Sequence, residues 1–138
     1  MLKLRKNKKG FTLVELIVVI AIMAVLAGTV AGVTVSQLNK QSDKTTENQA
    51  KTIANSISQY IIENDDIVLD GAIAVPEKIE TELGTNYASV SIKYNTDTTT
   101  KGDIYVKITS GKIVVGYHKK SGNTTADVAT INAEGVLE

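Results

Sequence analysis

The chain has 138 residues, 15 basic and 15 acidic side chains, one histidine and no cysteine or tryptophan. No disulfide can form, so any exported part must be held by strand pairing and packing. The charge is unevenly placed: Lys3, Arg5, Lys6, Lys8 and Lys9 precede Gly10 without an acidic residue among them, leaving ten basic against fifteen acidic residues beyond it, a formal −5. A net acidic surface favours solubility and gives no support for nucleic-acid binding, which needs clustered Lys and Arg.

Residues 11–35 form an apolar run with one charge inside it, Glu15. As a helix at about 1.5 Å per residue the run spans roughly 37 Å, against about 30 Å of bilayer hydrocarbon. The basic flank before it resists translocation, which points the rest of the chain outward. Glu15 is the anomaly, because an ionised carboxylate near the bilayer centre is disfavoured by roughly 2.5–3.5 kcal/mol, and by less near an interface. Either Glu15 snorkels to the headgroups from one turn inside the span, or it is matched by a positive charge that processing creates, the new amine of Phe11 after a cut behind Gly10. At about 4 Å and an effective dielectric near 20 such a pair attracts by roughly 4 kcal/mol, comparable to the burial cost. Within one helix the Phe11 amine is a full turn away, so the amine of a neighbouring copy is the better partner, and that implies assembly.

The string Lys8-Lys9-Gly10-Phe11-Thr12-Leu13-Val14-Glu15-Leu16 followed by an unbroken apolar helix resembles the class III signal of type IV pilins and their pseudopilin relatives. The resemblance is strong over residues 1–60 and architectural beyond them. It implies that a prepilin peptidase removes residues 1–10 and N-methylates Phe11. Subunits then stack into a helical filament, apolar segments at its centre, with Glu15 set against the neighbour's Phe11. The implied partners are further copies of the chain, minor pilins, the peptidase and a membrane assembly platform driven by ATPases. The implied localisation is the cytoplasmic membrane for the precursor and an extracellular pilus afterwards, serving adhesion, twitching motility or biofilm formation. A pseudopilin of a type II secretion or competence system is the alternative within the family. A secretory signal, cut near Ala27 or Ala31, or a plain signal anchor on an exported domain are rivals. Glu15 argues against the first, and the second leaves the Gly10-Phe11 junction and Glu15 as accidents.

One departure from the family pattern is visible. Where most pilins have a proline, counted from Phe11, this chain has Gly32, with Gly28 one turn earlier. Glycine costs a helix roughly 1 kcal/mol relative to alanine, so the pair either softens the helix or, as a GxxxG pattern, lets neighbouring backbones approach. Absence of cysteine removes the disulfide that closes the C-terminal loop of many Gram-negative pilins, which suggests a Gram-positive source.

Beyond the span there is enough chain for one small domain, residues 36–138. Residues 36–49 are polar without Gly or Pro, and Ala50, Ile53, Ala54, Ile57, Tyr60 and Ile61 then recur at helical spacing, which predicts one helix from Phe11 to about Glu63 whose later stripe seats a sheet. Asn64-Asp65-Asp66 ends it, and Asp70-Gly71 marks a turn. Pro76 opens a short helix with acids in its first turn and Gly84 just past its end, within a connector over residues 65–86. Three alternating segments follow, at Ala88, Val90, Ile92 and Tyr94, at Ile104, Val106 and Ile108, and at Ile113, Val115 and Tyr117. Ser110-Gly111 has two-residue hairpin length. The expected fold is therefore α+β: a long N-terminal helix on a small antiparallel sheet of three to four strands within residues 87–138. Residues 123–138, with Val128 and Ile131, either add a strand or wrap the edge.

Catalytic chemistry finds no purchase in this sequence, and the expectation is a structural protein, not an enzyme, without cofactor or metal. His118 stands alone near a strand end and reads as a surface residue. Asp65, Asp66 and Asp70 lack the alternating ligand pattern of a calcium loop, with Val68 where a ligand is needed. Gly111 and Gly122 are isolated, with no phosphate-cradling loop. Asn123-Thr124-Thr125 matches a glycosylation sequon, and the polar loop at 96–100 is a place for O-linked sugars.

Overall fold

A helix, α1, runs over Leu13–Glu63 without a break, as the sequence predicts. The computed structural model describes residues 10–96 and 99–138, so the basic leader before Gly10 and the middle of the 96–100 loop lie outside the described residues. The chain divides into two compact units, with the boundary between Gln37 and Leu38.

In the first unit every described residue of α1 is exposed, and the most apolar stretch of the helix has a mean hydropathy of 2.8 with none of it buried. A surface this apolar and this uncovered is rare on a water-soluble monomer. Its polar atoms are turned inward onto the helix itself: the Thr29 hydroxyl donates to the Leu26 carbonyl at 3.0 Å and that of Thr34 to Val30 at 2.8 Å. A helix in hydrocarbon needs this, since a hydroxyl there has no water to bond. Gly28 and Gly32 lie inside the helix, and a Cβ at either would meet nothing within 4 Å.

In the second unit α1 buries Asp43, Thr46, Ala50, Ile53, Ala54, Ile57, Ser58 and Ile61, the three- and four-residue spacing of one helix face. Tyr60, expected in this stripe, is only partly buried and packs at its margin. The stripe meets Ile104, Val106, Ile113, Val115, Tyr117 and Ile131 from a four-stranded sheet. The strands are β1 (Ile92–Tyr94), β2 (Ile104–Thr109), β3 (Lys112–His118) and β4 (Thr125–Ile131), in the order β1-β2-β3-β4. Residues 123–138 thus contribute a strand and then a turn. Ser110 and Gly111, between β2 and β3, have φ of 54° and 73°, the left-handed pair that a tight two-residue hairpin requires.

The sheet is mixed, which corrects the expectation of an all-antiparallel one. β1 runs parallel to β2, with Ile92 beside Ile104 and Tyr94 beside Val106. The cause is at Asn95, which has φ of 61°, turns the chain out of β1 and donates its N–H to the Val106 carbonyl at 2.9 Å. Its side chain accepts from the Val75 N–H at 2.6 Å and donates to Glu80 at 3.3 Å. β1 is so short, about 10 Å, that the loop behind it has ample chain to return to its start.

The connector helix α2 (Glu77–Asn86) also differs from expectation. Pro76 caps it from outside, and Gly84 lies within it instead of ending it. Ile79 and Leu83 are anchored in the core, and one further turn brings the Tyr87 hydroxyl within 2.5 Å of Ser56 Oγ on α1. That tertiary contact outweighs the weak helix-stopping tendency of one exposed glycine.

On the sheet face away from α1 the Tyr105 ring covers Gly116, its cross-strand partner, and its hydroxyl donates to Asp127 on β4. A Cβ at Gly116 would collide with both the Tyr105 ring and the Ala126 carbonyl. Gly116→Ala is therefore expected to destabilise residues 36–138 by about 2 kcal/mol or more, the range for overpacking. Urea unfolding measures it, and an unchanged midpoint would show that the ring is free to move aside.

Candidate processing and assembly site

The start of α1 is where the sequence places its functional residues. Gly10, Phe11 and Thr12 are non-helical and exposed, and Phe11 is 92 % exposed, so the Gly10-Phe11 peptide lies on accessible backbone just ahead of the first helical turn. A protease needs this, because a helical peptide bond is held by its hydrogen-bond ladder and must be unwound before it enters an active site.

Thr12 and Glu15 form a reciprocal pair at the helix start. The Glu15 N–H donates to Thr12 Oγ1 at 3.2 Å, and the Thr12 N–H donates to Glu15 Oε2 at 3.2 Å. This is the capping box, in which two otherwise orphaned donors of a helix N-terminus are satisfied by side chains three residues apart. Glu15 is also favourably placed against the positive end of the helix dipole. The carboxylate therefore folds back toward the start of the chain, and Phe11, Glu15, Leu16 and Val19 line one shallow groove. The carboxylate holds the amide of Thr12, the residue next to Phe11. The Thr-x-x-Glu spacing was present in the sequence as a signal for this box, and its role in orienting Glu15 went unread there.

Other residues singled out in the sequence are absorbed by the fold. His118 Nδ1 lies 2.6 Å from the Thr99 carbonyl oxygen, fastening the loop ahead of β2. Asp66 is paired with Lys78, and Lys78 beside it holds its carboxyl below the usual range against a smaller opposing effect of burial. Among the described residues no three His, Cys, Asp or Glu side chains come together as a metal site. Asn123 is exposed in the β3–β4 loop.

One buried acid had no part in the sequence reading. Asp43, only 7 % exposed, accepts hydrogen bonds from the Lys120 N–H at 2.6 Å, the Ser121 N–H at 3.1 Å and the Ser121 hydroxyl. It ties the β3–β4 loop to α1. Burial by itself would raise its carboxyl, but those hydrogen bonds and the nearby Lys119 ammonium outweigh it and hold it below the usual value.

The prokaryotic N-terminal methylation motif matches the chain over residues 5–31. The matched span contains Gly10, Phe11, the Thr12–Glu15 box and the exposed apolar helix through Gly28. Comparison with curated proteins and with solved structures found no match.

Proposed function

Because the chain carries the class III signal of type IV pilins and pseudopilins, and is thus a pilin- or pseudopilin-like exported protein, we propose that it is the structural subunit of a type IV pilus. The segment 11–35 holds the precursor in the cytoplasmic membrane, and the basic residues of 1–10 keep its front end inside. The prepilin peptidase cuts between Gly10 and Phe11 and methylates the new Phe11 amine, removing five positive charges that fix orientation. The segment 11–35 then leaves the bilayer for the centre of a filament, and residues 36–138 face outward. Minor pilins and a membrane platform with its ATPases assist assembly. Adhesion, motility and biofilm formation are properties of the fibre and need no catalytic centre.

The observation that carries this reading is the first unit of α1: a fully exposed apolar helix with one carboxylate, held at its very start and turned toward the cleavage junction. A permanent anchor gains nothing from Glu15. A subunit that must find its neighbour's amine gains register. Gly28 and Gly32 supply either local softening or close approach of neighbouring helices in the fibre centre.

Mass spectrometry of the cell-associated protein is expected to show an N-terminus at methylated Phe11, and an intact Met1 or a cut near Ala31 would sink the proposal. Electron microscopy with an antibody against residues 36–138 is expected to label long surface filaments. Processed chain without such filaments would move the assignment to a pseudopilus.

A further inference from the structure

The second unit is electrically and chemically polarised along α1. At the end where α1 enters it, Lys40 and Lys44 project from the helix, and the Asp43 hydrogen bonds bring Lys119 and Lys120 beside them. Lys101 joins them, because the Lys120 side chain packs over Gly102. Four of these five lysines are exposed and Lys119 is half-buried. None forms an ion pair among the described residues. Among the described residues the acids of this end are Asp43, bonded to the β3–β4 loop, Glu47, paired with Lys51 at 2.8 Å, and Asp103, which accepts from the Thr100 N–H at 3.2 Å, and they offset only part of the lysine charge.

The far end has the opposite character. Glu63, Asp65, Asp66 and Asp70 surround the end of α1, and the C-terminal turn adds Glu134 and Glu138. Ser58 Oγ donates to the Gly135 carbonyl, which fixes that turn against the helix. Only Lys78 and Lys112 offset these acids, each in an ion pair. The same end gathers apolar side chains. Beyond Leu38 the large hydrophobic residues that are exposed are Ile62, Val68, Ile73, Val136 and Leu137, and all lie on the last turn of α1, the loop after it or the C-terminal turn. Ile73 is 95 % exposed. Exposed apolar side chains among charged ones are the composition of a surface that another protein covers.

We infer that this far end is a self-association surface whose partner is the lysine-bearing near end of a second copy, so that subunits stack head to tail by opposite charge. The inference rests on the filament reading and extends it to the outward domain. A heterologous contact generates an open fibre when its rotation does not close. One partner accounts for both patches, since each is the complement of the other on an identical chain. Charge matching across the contact also sets direction, because two near ends or two far ends repel.

The test uses the full chain in cells that carry the assembly machinery, with sheared filaments quantified against processed membrane protein. Lys44→Glu with Lys101→Glu replaces two exposed lysines of the near end by acids and removes most of its positive excess, and is expected to lower filament yield about tenfold or more. Adding Asp65→Lys and Glu134→Lys, which swaps two charges of the far end to face the two new acids, is expected to restore yield to within about twofold, a recovery that a misfolded domain does not show. Wild-type filaments are expected to dissociate faster as salt is raised, since screening shortens to about 3 Å at 1 M. Full assembly of the near-end variant overturns the pairing while leaving the filament intact. Loss that the far-end changes do not repair also overturns it, and assigns the lysines to another partner such as anionic lipid headgroups. A wild type that processes its N-terminus but forms no filament overturns the filament reading, and this inference with it.

Discussion

Glu15→Ala is expected to leave the chain inserted and cut but almost unable to form filaments. Insertion does not suffer, because removing a carboxylate from the apolar run lowers the cost of placing it in the bilayer. Two things are lost. The first is half of the capping box, since the Thr12 N–H no longer has the Glu15 acceptor, at a cost of about 1 kcal/mol to the helix start. The second is the charge that, on the filament proposal, meets the Phe11 amine of a neighbour, worth about 4 kcal/mol at contact and an effective dielectric near 20. Its removal weakens each subunit addition by a factor on the order of 10²–10³. Glu15→Gln separates the two effects. Glutamine at the third helical position still bonds back to the Thr12 N–H but carries no charge, so it is expected to assemble as poorly as alanine. Recovery with glutamine would assign Glu15 to capping alone, and normal filaments from Glu15→Ala would remove its assembly role. The measurement is sheared filament protein divided by processed chain in the membrane.

The extent to which this architecture could be read from the sequence follows the range of the interactions involved. The α1 stripe, the Ser110-Gly111 hairpin and the turns at Asn64 and Gly71 are set by neighbours a few residues apart, and periodicity and turn chemistry report them directly. The parallel direction of β1 depends on Asn95 bonding to Val75 and Glu80, fifteen or more residues earlier, and no local pattern encodes that. The overrun of α2 past Gly84 has the same origin in the Tyr87 contact with Ser56. Two features were local and still passed unread. Thr12-x-x-Glu15 is a capping-box spacing, obscured because Glu15 within an apolar run reads first as a charge in a membrane. Asp43 continues the buried stripe toward the N-terminus at the spacing of Thr46, Ala50 and Ile53, but an acid at an apolar position reads as the stripe's end. Within the candidate site the Gly10-Phe11 junction and Glu15 stand out in the sequence. Their mutual geometry does not, since it rests on where one side chain folds.

Asp43→Ala is expected to destabilise residues 36–138 by about 3 kcal/mol. Hydrogen bonds to a charged acceptor contribute roughly 1.5–3 kcal/mol each, and the desolvation of the carboxylate, which the variant avoids, offsets part of the three it accepts. The residual loss is large because the Lys120 and Ser121 N–H groups are left facing a methyl group. The pH dependence identifies the charge as the source. The folded-state pKa of Asp43 is lowered from 3.8, so its stabilisation is fully present above that unfolded value and is lost as pH falls below about 4 toward the folded one. Glu47 and Asp66 are lowered too, by Lys51 and Lys78 respectively, but both are solvated and screened and add little to the slope. Wild-type protein is thus expected to lose stability below about pH 4 more steeply than Asp43→Asn, which begins weaker at pH 7 and has no proton to gain there. Urea midpoints of both proteins across that window measure the difference, and parallel slopes would show that another carboxylate is responsible. The consequence extends to assembly, because the loop that Asp43 holds carries Lys119 and Lys120. An unfastened loop scatters the basic end of the domain, so Asp43→Asn is expected to weaken filaments under conditions where the domain itself remains folded.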